Sequence, residues 1–237
     1  MTLAVLLSSV LLGYVLAQIL GKRNWSGSKY AITFSGAYLF AITIMHMLPE
    51  IFSSSSTQWL NSRLVLLGFL TQFILEFISK GLEHGHAHKH AHGLPYLMFI
   101  GLFIHEFFEG LPLGAGLAHA YEHDHLHENL LLGIAVHKFP IAFIIYNFLQ
   151  KSDGSKAITY LLLALFMWMT PIGMLVSSSG WIKVKDPTYL LAFTMGIFLH
   201  VSTTIIFESS ESHQFNMHRV RMTLFGIAAA MATEALM

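Results

Sequence analysis

The chain contains no cysteine, only 6 prolines and only 11% charged residues across 237 positions. Each scarcity excludes something. Without thiols there is no disulfide framework and no thiolate metal ligand, and the redox compartment is left open. Soluble domains carry about 25% charged residues, so a charge content this low argues against a water-soluble enzyme and against a disordered chain. The 13 basic and 13 acidic residues cancel, which removes the electrostatic case for nucleic acid. What is abundant is apolar surface and imidazole: 54% hydrophobic residues, a mean hydropathy of +0.60, 19 Phe, 12 Met and 15 His. That combination describes a polytopic membrane protein with an excess of metal-capable side chains.

A bilayer core requires about 20 mainly apolar residues per helix. Eight segments meet that length, near 2–20, 30–52, 60–80, 95–118, 129–149, 157–177, 187–207 and 218–236. The connections between them have loop chemistry, as in Gly21-Lys22-Arg23-Asn24, Lys151-Ser152-Asp153-Gly154 and Lys183 to Pro187. The expected fold is all-α, one transmembrane unit over 1–237. The first span has neither a basic leader nor a small-residue cleavage site and reads as a retained helix. With the N-terminus outside, nine Lys and Arg fall in inner loops and three in outer loops, with Lys138 left inside a span. Basic residues favour the cytoplasmic side, so both termini are expected outside, in the cell membrane (the inner one for a bacterial source).

An ionisable group in mid-span costs about 2.5–3.5 kcal/mol on insertion scales and so usually has a partner or a task. Span four carries His105, Glu106 and Glu109, and span five carries His137 and Lys138. His105 and Glu109 are four residues apart and share a helix face. Spans four and five, joined by a short loop, are antiparallel neighbours, so His137 can supply a second imidazole. Two imidazoles and a carboxylate with room for water suit Zn²⁺ and its borderline neighbours. Gly110, Pro112, Gly114, Gly116 and Pro140 weaken the backbone ladder beside these groups, which predicts a polar cavity at mid-membrane. Glu106 is explained as well by an ion pair with Lys138 as by a ligand role.

The motifs His105-Glu-Phe-Phe-Glu109-Gly110 and His137-Lys-Phe-Pro140 resemble those of the ZIP (Zrt-, Irt-like protein) metal transporters. His46-Met-Leu-Pro49-Glu50 closing span two, Glu76 late in span three and the His-rich loop 81–94 extend the likeness over nearly the whole chain. The resemblance implies a helical bundle with inverted repeats around spans four and five, and uptake of Zn²⁺ or a related cation into the cytoplasm. Carried over residue by residue, it makes His105, Glu109 and His137 metal ligands. Many relatives hold two metals, using an Asn after the first His and an acid after the span-five ligand. Here Glu106 and Lys138 occupy those positions, as in a subgroup thought to hold one metal with Lys in place of the second. Ile141 stands where relatives often have Glu or His, leaving water or a span-two residue to complete the shell.

The remaining histidines have paired readings. His46 and Glu50 form either an entrance relay or an interfacial polar pair. His200 on span seven serves either cation exit or a bond between helices, and Glu76 snorkels or pairs near the inner surface. His84, His86, His88, His90 and His92 in the cytoplasmic loop suit buffering or sensing, while His119, His123, His125 and His127 suit capture outside; either tract also fits a solvated loop that binds metal incidentally. The expected partners are divalent ions (Zn²⁺, Fe²⁺, Mn²⁺, Cd²⁺ or Co²⁺, as substrate and not cofactor) and the lipid bilayer, with a homodimer left open. The alternative is a membrane-embedded zinc hydrolase acting on lipid amides. Its H-E-x-x-H motif fails, because position 109 is Glu.

Overall fold

The computed structural model describes residues 1–20, 27–53, 58–79, 96–118, 125–151, 155–182, 184–208 and 217–236. Among these, regular structure is entirely helical and forms eight rods. They are α1 Thr2–Leu20, α2 Gly27–Ser53, α3 Gln58–Ser79, α4 Tyr96–Ala118, α5 Leu126–Lys151, α6 Lys156–Ser178, α7 Thr188–Glu208 and α8 Met217–Leu236. Seven are long and apolar enough to cross a membrane. The eighth, α8, falls outside that set because Arg219, Arg221 and Glu234 lie within its 20 residues. It nevertheless packs along α2, with Phe34 and Phe225 ring centroids 5.3 Å apart and Tyr38 Oη 3.1 Å from Thr233 Oγ1. The chain is an integral, multi-pass helical bundle.

Local chemistry sets the ends and interruptions of the rods. The Ser155 hydroxyl accepts the Ile158 N–H at 3.3 Å and caps α6, and Asp186 Oδ1 accepts the Thr188 N–H at 2.9 Å at the start of α7. Carbonyls at the end of α2 lack helical partners, and two α3 amides supply them: Asn61 Nδ2 donates to Ile51 O at 2.7 Å and Gln58 Nε2 to Phe52 O at 3.0 Å. Within α2, residues Thr43–Met47 widen into a π-helical turn just ahead of Pro49, with the Leu48 N–H reaching Thr43 O. Pro112 in α4 has no N–H for the Phe108 carbonyl four residues back. Thr194 on α7 donates its hydroxyl to that carbonyl at 3.1 Å. The carbonyl expected to line a polar cavity is therefore satisfied by a neighbouring helix.

Packing separates central from peripheral helices. Over its most apolar stretch α5 is 72% buried, against 28% for α1 and 22% for α3. Leu66, Leu67, Phe73, Ile74 and Phe77 leave an apolar face of α3 outward, as lipid requires. The closest packings pair α4 with α6, α3 with α7, α2 with α8 and α1 with α5. Exchanging helix one for six, two for seven, three for eight and four for five maps α1/α5 onto α6/α4 and α2/α8 onto α7/α3. It also maps the α2/α5 contact onto α7/α4, which is present. Each exchange shifts by an odd number of spans and so reverses direction, giving the pairing pattern of inverted repeats centred on α4 and α5. Glycine permits all four of these crossings, with Gly13 against the Phe139 carbonyl in α1/α5 and Gly226 against that of Phe34 in α2/α8. A Cβ on Gly110 would collide with the Thr170 carbonyl and one on Gly173 with that of Phe107, while Gly68 and Gly196 stand likewise against Phe193 and Val65.

Candidate metal centre

His105, Glu109 and His137 come together with no solvent exposure. One ligand atom from each can be chosen so that all three lie within 4.8 Å of one another. The i, i+4 spacing on α4 sets His105 Nε2 3.2 Å from Glu109 Oε1. His137 comes from α5, its ring centroid 6.4 Å from that of His105 and nearly perpendicular to it at 79°. A tetrahedral Zn²⁺ with bonds of about 2.0–2.1 Å separates its ligand atoms by roughly 3.3 Å. The His105–Glu109 edge already matches that separation, and the widest pair needs to close by no more than about 1.5 Å. The group is thus able to hold one small divalent ion.

Glu106 faces elsewhere. Successive helical residues diverge by about 100°, and the neighbour of His105 points toward Lys138 and not into the triad. Glu106 Oε2 is ion-paired with Lys138 Nζ, both groups fully buried. Thr170 on α6 joins the pair: its hydroxyl accepts from Lys138 Nζ at 2.9 Å and lies 3.0 Å from both Glu106 Oε2 and the Glu106 carbonyl. One hydroxyl proton serves those two acceptors. The ammonium also sits 4.4 Å from the centroid of the Phe166 ring. The ion-pair reading of Glu106 thus has its partner in place.

The remaining candidates are spread along the bundle. His200 on α7 places Nδ1 3.2 Å from Glu76 Oε2 on α3, with its ring against Phe69 at 4.8 Å and Phe73 at 6.0 Å. His46 sits half-buried in the π-helical turn of α2, and Glu50 is buried one turn further on. His125 is exposed at a left-handed φ of 68°, where its carbonyl accepts the Asn129 N–H at 3.0 Å. His127 Nε2 lies 3.3 Å from Thr2 Oγ1 on α1. His84, His86, His88, His90, His92, His119 and His123 lie outside the described residues. Three groups near the centre escaped the reading of ionisable residues, namely Gln72, Thr170 and Thr194. Gln72 on α3 is fully buried with Oε1 2.9 Å from His105 Nδ1. An uncharged amide in mid-span was the available signal.

The sequence profile described as ZIP Zinc transporter matches residues 83–234, nearly two thirds of the chain and every residue of the triad. The chain belongs to the ZIP family. A curated relative, the protein zntD of Dictyostelium discoideum, is 29% identical over 130 residues. The aligned part is 52% of this chain and 18% of zntD, so the chain spans under a fifth of that relative's length. Within this ZIP chain, the position after His105 on α4 and the position after His137 on α5 are bonded to one another as Glu106 and Lys138. Ile141, one turn beyond His137 on α5, is buried in an apolar cluster drawn from α1, α4, α5 and α6.

Proposed function

We propose that the chain carries Zn²⁺ or a related divalent transition metal into the cytoplasm, by alternating access around a mononuclear site of His105, Glu109 and His137. The observation that carries this reading is the convergence of two imidazoles and a carboxylate, fully buried, on the two central helices of a bundle with the ZIP profile. Such a donor set favours Zn²⁺ and also accepts Cd²⁺, Fe²⁺, Co²⁺ and Mn²⁺. Charge supports a single ion. Glu106 and Lys138 cancel, so Glu109 with two neutral histidines has a charge of minus one, and one divalent cation brings the site to plus one. A second would bring it to plus three, which a buried site does not tolerate. Lys138 thereby acts as a tethered cation beside the transported one. Ligands must be deprotonated to bind, so protonation at the triad offers a route to release.

The hydrolase alternative draws no support, since the family is one of transporters and the zincin motif is incomplete. The test is uptake of a panel of divalent ions into proteoliposomes, wild type against Glu109→Gln. Zinc uptake that depends on Glu109 is expected. Equal uptake by both proteins overturns the assignment of Glu109, and lipid-amide cleavage without cation flux overturns transport.

A further inference from the structure

The triad residues come from α4 and α5, yet His105 also has a polar contact from α3. Gln72 Oε1 lies 2.9 Å from His105 Nδ1, both residues fully buried. A carboxamide oxygen only accepts, so with Oε1 facing the ring this contact is a hydrogen bond when Nδ1 carries the proton. A neutral imidazole has one N–H, which leaves a lone pair on Nε2, the nitrogen 3.2 Å from Glu109 Oε1. In the other tautomer, Nε2–H donates to Glu109 and the two groups satisfy each other, closing the place where a cation would sit. In the tautomer selected by Gln72, two acceptors face across that gap, and a cation between them binds both. The amide therefore decides between a self-satisfied hydrogen bond and a metal ligand.

We propose that Gln72 is a positioning residue of the metal site, holding His105 in the Nδ1–H tautomer and fixing its ring so that Nε2 receives the cation. The inference rests on reading His105, Glu109 and His137 as the metal site. Outer partners of metal-bound histidines act this way in general, and their loss costs about 10–100-fold in metal affinity.

The experiment is a zinc competition titration of the purified full chain against a chromophoric chelator, comparing wild type, Gln72→Leu, Gln72→Glu and His105→Ala. Gln72→Leu is expected to bind Zn²⁺ about 10–100-fold more weakly, and Gln72→Glu, which keeps an acceptor oxygen at the same reach, to stay within about threefold of wild type. Loss by His105→Ala together with wild-type affinity in Gln72→Leu overturns the role of Gln72 alone. Equal loss in Gln72→Leu and Gln72→Glu also overturns it, since packing would then be the function. Wild-type affinity in His105→Ala overturns the site itself and this inference with it. A measurement on the unmutated, metal-free protein covers the case in which Gln72→Leu fails to fold. In ¹⁵N-histidine NMR, with His105 identified by its disappearance in His105→Gln, Nδ1 is expected to be protonated and Nε2 bare. A protonated Nε2 overturns the proposal.

Discussion

Replacing Lys138 with Met gives a sharp test of how the centre is held together. The substitution keeps an unbranched chain of similar length, with sulfur in place of one methylene, and removes the ammonium. Glu106 then remains in a place with no solvent exposure, where Lys138 is its ion-pair partner and Thr170 offers a single hydroxyl proton shared with the Glu106 carbonyl. Its other oxygen, Oε1, has no hydrogen-bond partner among the described residues. Breaking a buried pair by removing one member costs about 3–5 kcal/mol, because the surviving charge stays desolvated. At 2–4 °C per kcal/mol for a chain of this size, the melting temperature should fall by roughly 6–20 °C. The double variant Glu106→Met/Lys138→Met removes both charges and leaves Thr170 its bond to the backbone carbonyl of position 106, so most of the loss should return. Thermal melts of the metal-free protein in detergent, followed by circular dichroism, measure all three. A double variant as unstable as Lys138→Met, or a Lys138→Met variant as stable as wild type, refutes the reasoning.

Three further outcomes are expected. Lys138→Asp, which replaces the tethered cation by a second carboxylate, should raise the zinc stoichiometry at the centre from one to two per chain; equilibrium dialysis showing one ion in both proteins counts against Lys138 as a substitute cation. Gly68→Ala should destabilise the bundle by about 1–3 kcal/mol, because the new methyl meets the Phe193 carbonyl of α7 and backbone gives way poorly; an unchanged melting curve would mean the crossing is looser than described. His200→Gln, which removes the imidazole beside Glu76, should slow zinc uptake into proteoliposomes severalfold while equilibrium zinc affinity at the triad holds. Unchanged uptake would reduce that pair to a bond between helices.

Much of this architecture was readable because the membrane simplifies the code. Long apolar runs located every helix, and the i, i+4 spacing of His105 and Glu109 placed those two side chains side by side on one helix face. Helix ends were less accessible. Span five was expected at 129–149, yet α5 extends over Leu126–Lys151, since hydropathy marks where lipid begins and says little about where hydrogen bonding stops. The same reasoning explains α8, whose arginines depress its hydropathy without interrupting its backbone. Thr170 and Thr194 could not be read from the chain, and Gln72 only as an amide in mid-span with no stated partner. Each is an ordinary polar residue in a span, and its meaning depends on which helix lies opposite. The freed carbonyl of Phe108 was foreseeable from Pro112, whereas the hydroxyl that answers it comes from 86 residues further along.

The glycine crossings have a mechanical consequence. Where Gly110 and Gly173 bring two backbones into contact, α4 and α6 cannot slide past each other without main chain striking main chain, and Gly68 with Gly196 fastens α3 to α7 in the same way. Gly13 against Phe139 and Gly226 against Phe34 fasten α1 to α5 and α2 to α8 likewise, so a rearrangement that spares the clasps moves fastened pairs against one another, and one such seam lies between α4/α6 and α3/α7. The bond from His105 to Gln72 spans that seam, with its imidazole on one slab and its amide on the other. Motion along that seam would therefore load this bond together with the Thr194 bond to the Phe108 carbonyl, tying the orientation of the His105 ring to the relative position of the two pairs.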